Sequence, residues 1–522
     1  MISSSRRQFL GSVAVGIAAA SRVASGAPAE LELQEDTVWR GEVNVADSVV
    51  VPCGKTLTVE PGSTIRFARG AALVVHGKLV AAGEPSRPIH FLLERPDEPG
   101  AWKGIIIGPR NVSAQPTTAQ ALTIQAESLQ GACSIIHCRI EHAEHGVSLI
   151  DAAGRSHRIA NCTIEACPGT GVRLIRSSDA IIEHNQIAHC GTQEQAPAGG
   201  IWLEDANRVQ VRHNTLRDNT RYGVFLDASR LTNVCDNRIQ NVGGKPQSTG
   251  GYGISLNESS RNLIERNEID HANYLCLGVS NSDENLIVGN RVGDSPDGIA
   301  LAGPKTVGNL VRDNLIERCY WSQLYITSQA RDNRIERTNV RGGDGAITSW
   351  AAGPNLFEDC RFEGTGPVAL LGTSLVTLRR VSVVGCRGPH DLWTEFEPTC
   401  QVIDCEIDKR RIDFSKGTTA NSHFVWLHSL RVRVVDPETD TGIDGATVRL
   451  AGPTANSPIT TTTRARGLAT LELVAGVVRK DKGFEPHPAW SLTVVADGFE
   501  PAEVEAISNT EATRLTVRLK RR

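Results

Sequence analysis

Methionine is almost absent from this 522-residue chain: there is one. With histidines that are scattered, that leaves no soft-donor signature for a copper site. Excess charge is lacking too, at a formal −4 at pH 7, so the electrostatic footprint of a nucleic-acid binder is missing. No apolar run reaches the ~20 residues of a membrane span. No Cys-x-x-Cys pair occurs, which excludes the commonest zinc spacing. Aromatics make up only 5%. Apolar residues recur with period 2 and not 3.6, which excludes a helical solenoid, and leucine is too sparse for leucine-rich repeats.

What the chain has is 49 glycines, 13 cysteines and a repeat. Segments of the form x-(Asn or Cys)-x-apolar place their marker at Cys138, Cys162, Asn185, Asn214, Asn237, Asn267, Asn290, Asn314, Asn333, Cys360, Val381 and Cys405. The spacings are 24, 23, 29, 23, 30, 23, 24, 19, 27, 21 and 24. A second register, Gly146-Val147, Gly171-Val172, Gly200-Ile201, Gly223-Val224, Gly253-Ile254, Gly298-Ile299 and Gly345-Ala346, runs beside it. Short alternating strands with Gly and Asn corners every ~24 residues predict an all-β solenoid. Stacked at ~4.8 Å, like residues become neighbours, and asparagine amides can bond rung to rung.

The pattern Asn-x-Ile…Gly-Ile-x-Leu resembles the repeat of the pectate-lyase-like superfamily. So do Thr56 to Phe67, Gly77 to Gly83, Pro88 to Phe91 and Trp102 to Ile106. That resemblance implies a right-handed parallel β-helix over residues 32–425, a hand that also follows from the crossover rule. It extends to the NosD-like periplasmic β-helix group, which is linked to copper-site maturation. The scaffold carries many functions, so the activity must come from a site.

Ser5-Arg6-Arg7-Gln8-Phe9-Leu10, the apolar run Gly11 to Ala20 and Ser25-Gly26-Ala27 resemble a twin-arginine signal peptide over residues 1–27. This implies a periplasmic or secreted protein, without a membrane span once the signal is removed. Loss of three arginines takes the charge from −4 to −7. The 13 cysteines then have two readings: buried, reduced thiols filling small core positions, or at least one bridge between stacked rungs.

After residue 428 the pattern becomes short strands with polar turns. Leu430 to Val435, Gly445 to Leu450, Thr460 to Thr463, Gly467 to Leu473, Trp490 to Phe499 and Leu515 to Leu519 predict a small antiparallel β-sandwich over 428–522. It resembles the carboxypeptidase-regulatory-like, transthyretin-like module, which implies a non-catalytic role in docking, spacing or attachment.

A stacked scaffold invites reading its columns. One polar column runs His142, Ala166, His189, Asp218, Asn241, His271, Asp294, Arg318 and Arg337. His189 beside Asp218, or His271 beside Asp294, with Arg318 next, would suit proton abstraction beside a carboxylate that Arg holds. The expected catalytic residues are therefore His189, Asp218, His271, Asp294 and Arg318. Tyr222, Tyr252, Tyr274, Tyr320 and Arg337 are expected to bind substrate. The competing reading is that turn columns are polar simply because they face water. The loops 191–199 and 243–250, flanking the coil of Asp218, are candidate groove walls. Gly388-Pro389-His390-Asp391 resembles the Asp-Pro-His-Asp motif of mannuronan C5-epimerases with its first Asp replaced. Asp294 and Asp297 alone do not make a calcium site.

The expected function is a lyase or epimerase on uronate-containing glycans; the alternative is a non-catalytic glycan-binding or cell-surface β-helix protein. The expected partner is a polysaccharide, the expected state a monomer, and no metal or cofactor is expected.

Overall fold

The computed structural model describes residues 30–97, 100–109, 131–154, 156–192, 198–243, 250–452, 458–507 and 511–522. The signal-like segment lies outside them, as do residues 193–197 and 244–249 of the two long loops.

Each coil carries three short strands, one for each of three parallel sheets. In one turn the chain passes through Gln210–Arg212 in sheet B, Thr215–Arg217 in sheet C and Tyr222–Asp227 in sheet A. The next turn repeats this 23 residues on for sheet B, with Val211 paired to Val234. Sheet A has 16 strands, from Glu30–Glu32 to Ile412–Phe414, and sheet C has 14. The result is the right-handed parallel β-helix anticipated from the repeat.

The interior is columns of aliphatic side chains. Ile164, Ile187, Leu216, Ile239, Ile269, Val292, Ile316, Val340 and Phe362 lie in register down sheet C and are buried. Each rung alone could not bury its apolar face; stacking makes the core continuous. The glycine register has a steric cause. At Gly223 a Cβ would stand 2.5 Å from both the Gly253 carbonyl oxygen and Ile239 Cγ2, so only hydrogen fits.

Asparagine ladders tie the corners. At the B-to-C corner, Asn237 Nδ2 donates to Asn267 Oδ1 at 3.0 Å and to the Val211 carbonyl at 2.9 Å. Its own Oδ1 accepts from Asn214 N and Nδ2, both at 3.0 Å. The same bonds repeat from Asn185 to Asn314. A second ladder, not read from the sequence, stands at the A-to-B corner: Asn262, Asn285, Asn309, Asn333 and Asn355.

Asn333 therefore belongs to the second ladder and not to the first, where the repeat placed it. Thr338 follows Asn314 on the first, with Asn339 N bonded to the Asn314 carbonyl. The irregular spacings of 19 and 27 are really 24 and 22. The two corners share one residue preference, which merges them in the repeat.

None of the 13 cysteines is in a disulfide. Burial, then the facing Cys162 thiol, holds Cys138 well above the usual thiol range.

At the C-terminal end, strand His423–Val435 continues sheet B beside Thr399–Ile403 and then runs on as a partner of Leu468–Arg479 and Thr513–Arg518. The boundary expected at residues 425–428 falls inside this strand. A four-stranded antiparallel sheet of Ile459–Thr462, Thr447–Ala451, Trp490–Val495 and Ala502–Ile507 follows. Leu430, Val432, Val434, Val448, Leu450 and Leu492 share a second core with Trp490. Among the described residues no helix is long and apolar enough to cross a membrane.

Candidate functional site on the outer face of sheet A

The polar column singled out in the sequence lies at the C-to-A corner. Its members adopt left-handed backbone: His189 at φ 55°, Asp218 at 55°, His271 at 54°, Asp294 at 52° and Arg318 at 54°. His, Asp and Asn are enriched there because they tolerate this conformation better than most residues. The column is thus a consequence of corner geometry.

The expected catalytic pairs do not pair. His189 is exposed, and Asp218 accepts from Asn241 Nδ2 at 3.2 Å. His271 Nδ1 lies 2.8 Å from Asp270, its chain neighbour. Asp294 receives Arg318 Nε at 2.8 Å and Nη2 at 2.5 Å, and this guanidinium holds its carboxyl below the ordinary range. The same two-pronged bond joins Asp151 to Arg176, Asp179 to Arg208, Asp236 to Arg266, Asp313 to Arg337 and Asp359 to Arg380. Asp294 and Arg318 are one more surface staple of this type. Arg337 is in the other corner column; the neighbour of Arg318 on the next rung is Gly342, reached through the Arg318 N to Arg341 carbonyl bond. In the epimerase-like segment, Asp391 is buried and receives Arg411 Nε at 2.8 Å.

The tyrosines do come together. Strand Tyr222–Asp227 points Val224 and Leu226 inward, so Phe225 lies on the outer side of the sheet with its partner Trp202 on strand Gly199–Glu204; packed against their aromatic neighbours, both are only 8% exposed. Tyr222, at the strand's start, stacks on Tyr252 with centroids 5.3 Å apart and on Phe225 at 4.5 Å. Trp202 lies 4.5 Å from Phe225, and Tyr252 meets Tyr274 edge-on at 5.2 Å. These are the separations that favour aromatic contact. Beyond Tyr274 the line continues to Pro296 and then Trp321, which is 62% exposed, through the Asp297 N to Tyr274 carbonyl and Trp321 N to Pro296 carbonyl bonds. Tyr320 packs edge-on against Trp321 at 6.2 Å. Burial, then the neighbouring phenols, pushes Tyr252 up to about 12, so it stays a neutral hydrogen-bonding group.

The row of rings runs from the Trp202 rung to the Trp321 rung, five steps of ~4.8 Å or roughly 24 Å. Beside it, Asp297 is 9% exposed and accepts from Ser322 N at 3.0 Å. Burial raises its carboxyl from 3.8 to about 6. No cation among the described residues reaches ion-pair distance of it.

Trp202 and Phe225 are not singled out as site residues in the sequence, and Asp297 is weighed there only beside Asp294, as an insufficient calcium pair. The signal was present: in Gly200-Ile201-Trp202-Leu203 and Gly223-Val224-Phe225-Leu226, alternation after the glycine turns the third residue outward.

Residues 130–316 match the profile of the NosD family, described as a periplasmic copper-binding protein. The match spans less than half of the chain. Among solved structures, the Dettilon tailspike protein gp208 aligns at 12% identity over 88% of this chain and 74% of its own, with a TM-score of 0.37. A double mutant of the periplasmic alginate epimerase AlgG aligns at 12% identity over 71% and 75%, with a TM-score of 0.35. The catalytic domain of a GH87 α-1,3-glucanase in complex with tetrasaccharides aligns at 9% identity over 70% and 63%, with a TM-score of 0.39. No curated protein matches the chain.

The donor set does not fit copper. Among the described residues no group of three or more His, Cys, Asp or Glu converges as ligands. The thiols of Cys138 and Cys167 are buried and held well above their ordinary range. His184 and His213 stack face to face at 4.8 Å, one rung apart, a geometry that directs their nitrogens along parallel planes and not toward one centre.

Proposed function

We propose that this is an exported β-helix protein, located in the periplasm or secreted, that binds an extended polysaccharide along the outer face of sheet A. The observation that carries the reading is the line of Tyr222, Tyr252 and Tyr274 in ring contact, backed by Trp202 and Phe225, with Tyr320 and Trp321 exposed two rungs beyond Tyr274. Aromatic faces stack on the apolar faces of pyranose rings, and a rigid sheet presents them at a fixed spacing with little ordering cost on binding. The periplasmic description of the matching family supports the location. Residues 428–522, which resemble a carboxypeptidase-regulatory-like module, act as a non-catalytic spacer or docking element.

Asp297 supports a second reading, in which the same face performs proton transfer. A carboxyl whose pKa is raised to about 6 is suited to acid–base work near neutrality. A uronate lyase or epimerase also needs a cationic group at the sugar carboxylate, and Asp297 has none nearby. The geometry therefore favours binding over catalysis.

The test is affinity electrophoresis of the purified protein through gels containing neutral and acidic polysaccharides. Tyr274→Ala and Trp321→Ala, chosen because both side chains are well exposed, should each weaken retardation several-fold, about 1 kcal/mol per ring. Unchanged mobility of both variants on every polymer that retards the parent protein would refute the reading.

A further inference from the structure

Most arginines on the strands of this solenoid are neutralised by carboxylates one rung away. Arg158 and Arg212 share Glu183, and Arg291 meets Glu317. Arg173, on the outer face of sheet A, is different. It sits on strand Thr170–Ile175, in register with Ser148 on one side and Trp202 on the other. Its Nε donates to Ser148 Oγ at 2.9 Å, which fixes the plane of the guanidinium. No carboxylate among the described residues comes within ion-pair distance of it.

Glu144 and Glu204 lie close enough to favour the charge of Arg173, but each is bonded elsewhere. Glu144 is bonded by Lys103, and Glu204 accepts from Trp202 Nε1 at 3.3 Å. The remaining base, His145, is buried, and Thr170 N donates to its Nδ1 at 3.0 Å. Burial, then Arg173, then Lys103, drives its pKa down to about 3, so it stays neutral and adds no charge. Arg173 thus presents its two terminal nitrogens, unpaired with any acid, one rung from the Trp202 indole. A half-buried guanidinium fixed at Nε is prepared for a planar, two-oxygen partner.

We propose that Arg173 forms an anion subsite at one end of the aromatic row, where it takes the carboxylate or sulfate of an acid-substituted glycan whose chain runs on along the row toward the exposed Tyr274 and Trp321. This inference rests on the reading of sheet A as the glycan-binding face. It adds to it a ligand charge, a direction along the row and a specificity-determining residue. The subsite lies five rungs from Asp297, ~24 Å away, so the two do not act on one sugar unit.

The test compares a uronate polymer with its carboxyl-reduced counterpart, and a sulfated glucan with the unsulfated one, by calorimetry on the full chain. The parent protein should bind at least one acidic polymer tenfold or more tighter than its neutral partner, and the pair that shows the difference identifies the anion. Arg173→Ala should abolish the difference while leaving neutral-polymer affinity unchanged. Arg173→Lys should restore part of it, because charge is kept and the fork is lost. Equal affinity of the parent protein for both members of both pairs overturns the subsite, as does Arg173→Ala retaining full discrimination. The reading of sheet A as the glycan-binding face fails separately, if Tyr274→Ala and Trp321→Ala leave binding to every polymer unchanged.

Discussion

Replacing Asp297 by asparagine should stabilise the protein, and only above a defined pH. The side chain is 9% exposed, and burial raises its carboxyl from 3.8 to about 6. The folded state therefore favours the protonated acid. Its contribution to stability is fully present below pH 3.8, falls as pH rises through about 6, and is gone above 7. The displacement corresponds to about 3 kcal/mol at about 1.4 kcal/mol per tenfold change in proton affinity. Asparagine keeps the Oδ1 acceptor for Ser322 N and never ionises. Asp297→Asn should thus match the parent protein near pH 3.5 and exceed it by up to about 3 kcal/mol at pH 8. Urea unfolding followed by tryptophan fluorescence at both pH values, with amide exchange over residues 297–302, measures the difference. A gap that does not change with pH would refute the burial argument. Destabilisation at pH 8 would mean that ionised Asp297 makes a favourable contact absent from the described residues.

Two further substitutions test the scaffold. Asn237→Ala removes four buried hydrogen bonds and orphans the Asn214 backbone N–H, so a loss of about 3–5 kcal/mol in urea unfolding is expected, against about 1 for exposed Asn241→Ala, which loses one bond to Asp218 at a left-handed corner that favours Asn. Arg318→Ala breaks an exposed staple with Asp294 and should cost under about 1 kcal/mol and leave glycan affinity unchanged; a loss of binding tenfold or greater would restore that corner as a site.

Much of the architecture was legible in the residues. Gly223, Gly253 and their equivalents recur because a Cβ has no room at that corner, and the asparagines recur because an amide bonds both up and down the stack. Repetition makes such local needs visible. Register was legible only where one corner could be told from another. Asn309 and Asn333 satisfy the A-to-B corner with the same chemistry that Asn290 and Asn314 bring to the B-to-C corner, so Asn333 was assigned to the wrong column and Arg337 with it. Side-chain direction was harder still. His189, Asp218, His271 and Asp294 form a polar column because left-handed corners favour those residue types, whether or not they do chemistry.

The amino-acid order by itself determined the solenoid, its period and its parallel sheets, because each coil must meet the same steric and hydrogen-bonding demands as the last. Only the tertiary structure decided which residues share a surface. Trp202, Phe225, Tyr252 and Trp321 become one row because rungs stack at strand spacing, and Arg173 becomes unpaired because its neighbours' acids are engaged elsewhere. Those facts depend on contacts between residues some two dozen positions apart, which no local pattern encodes.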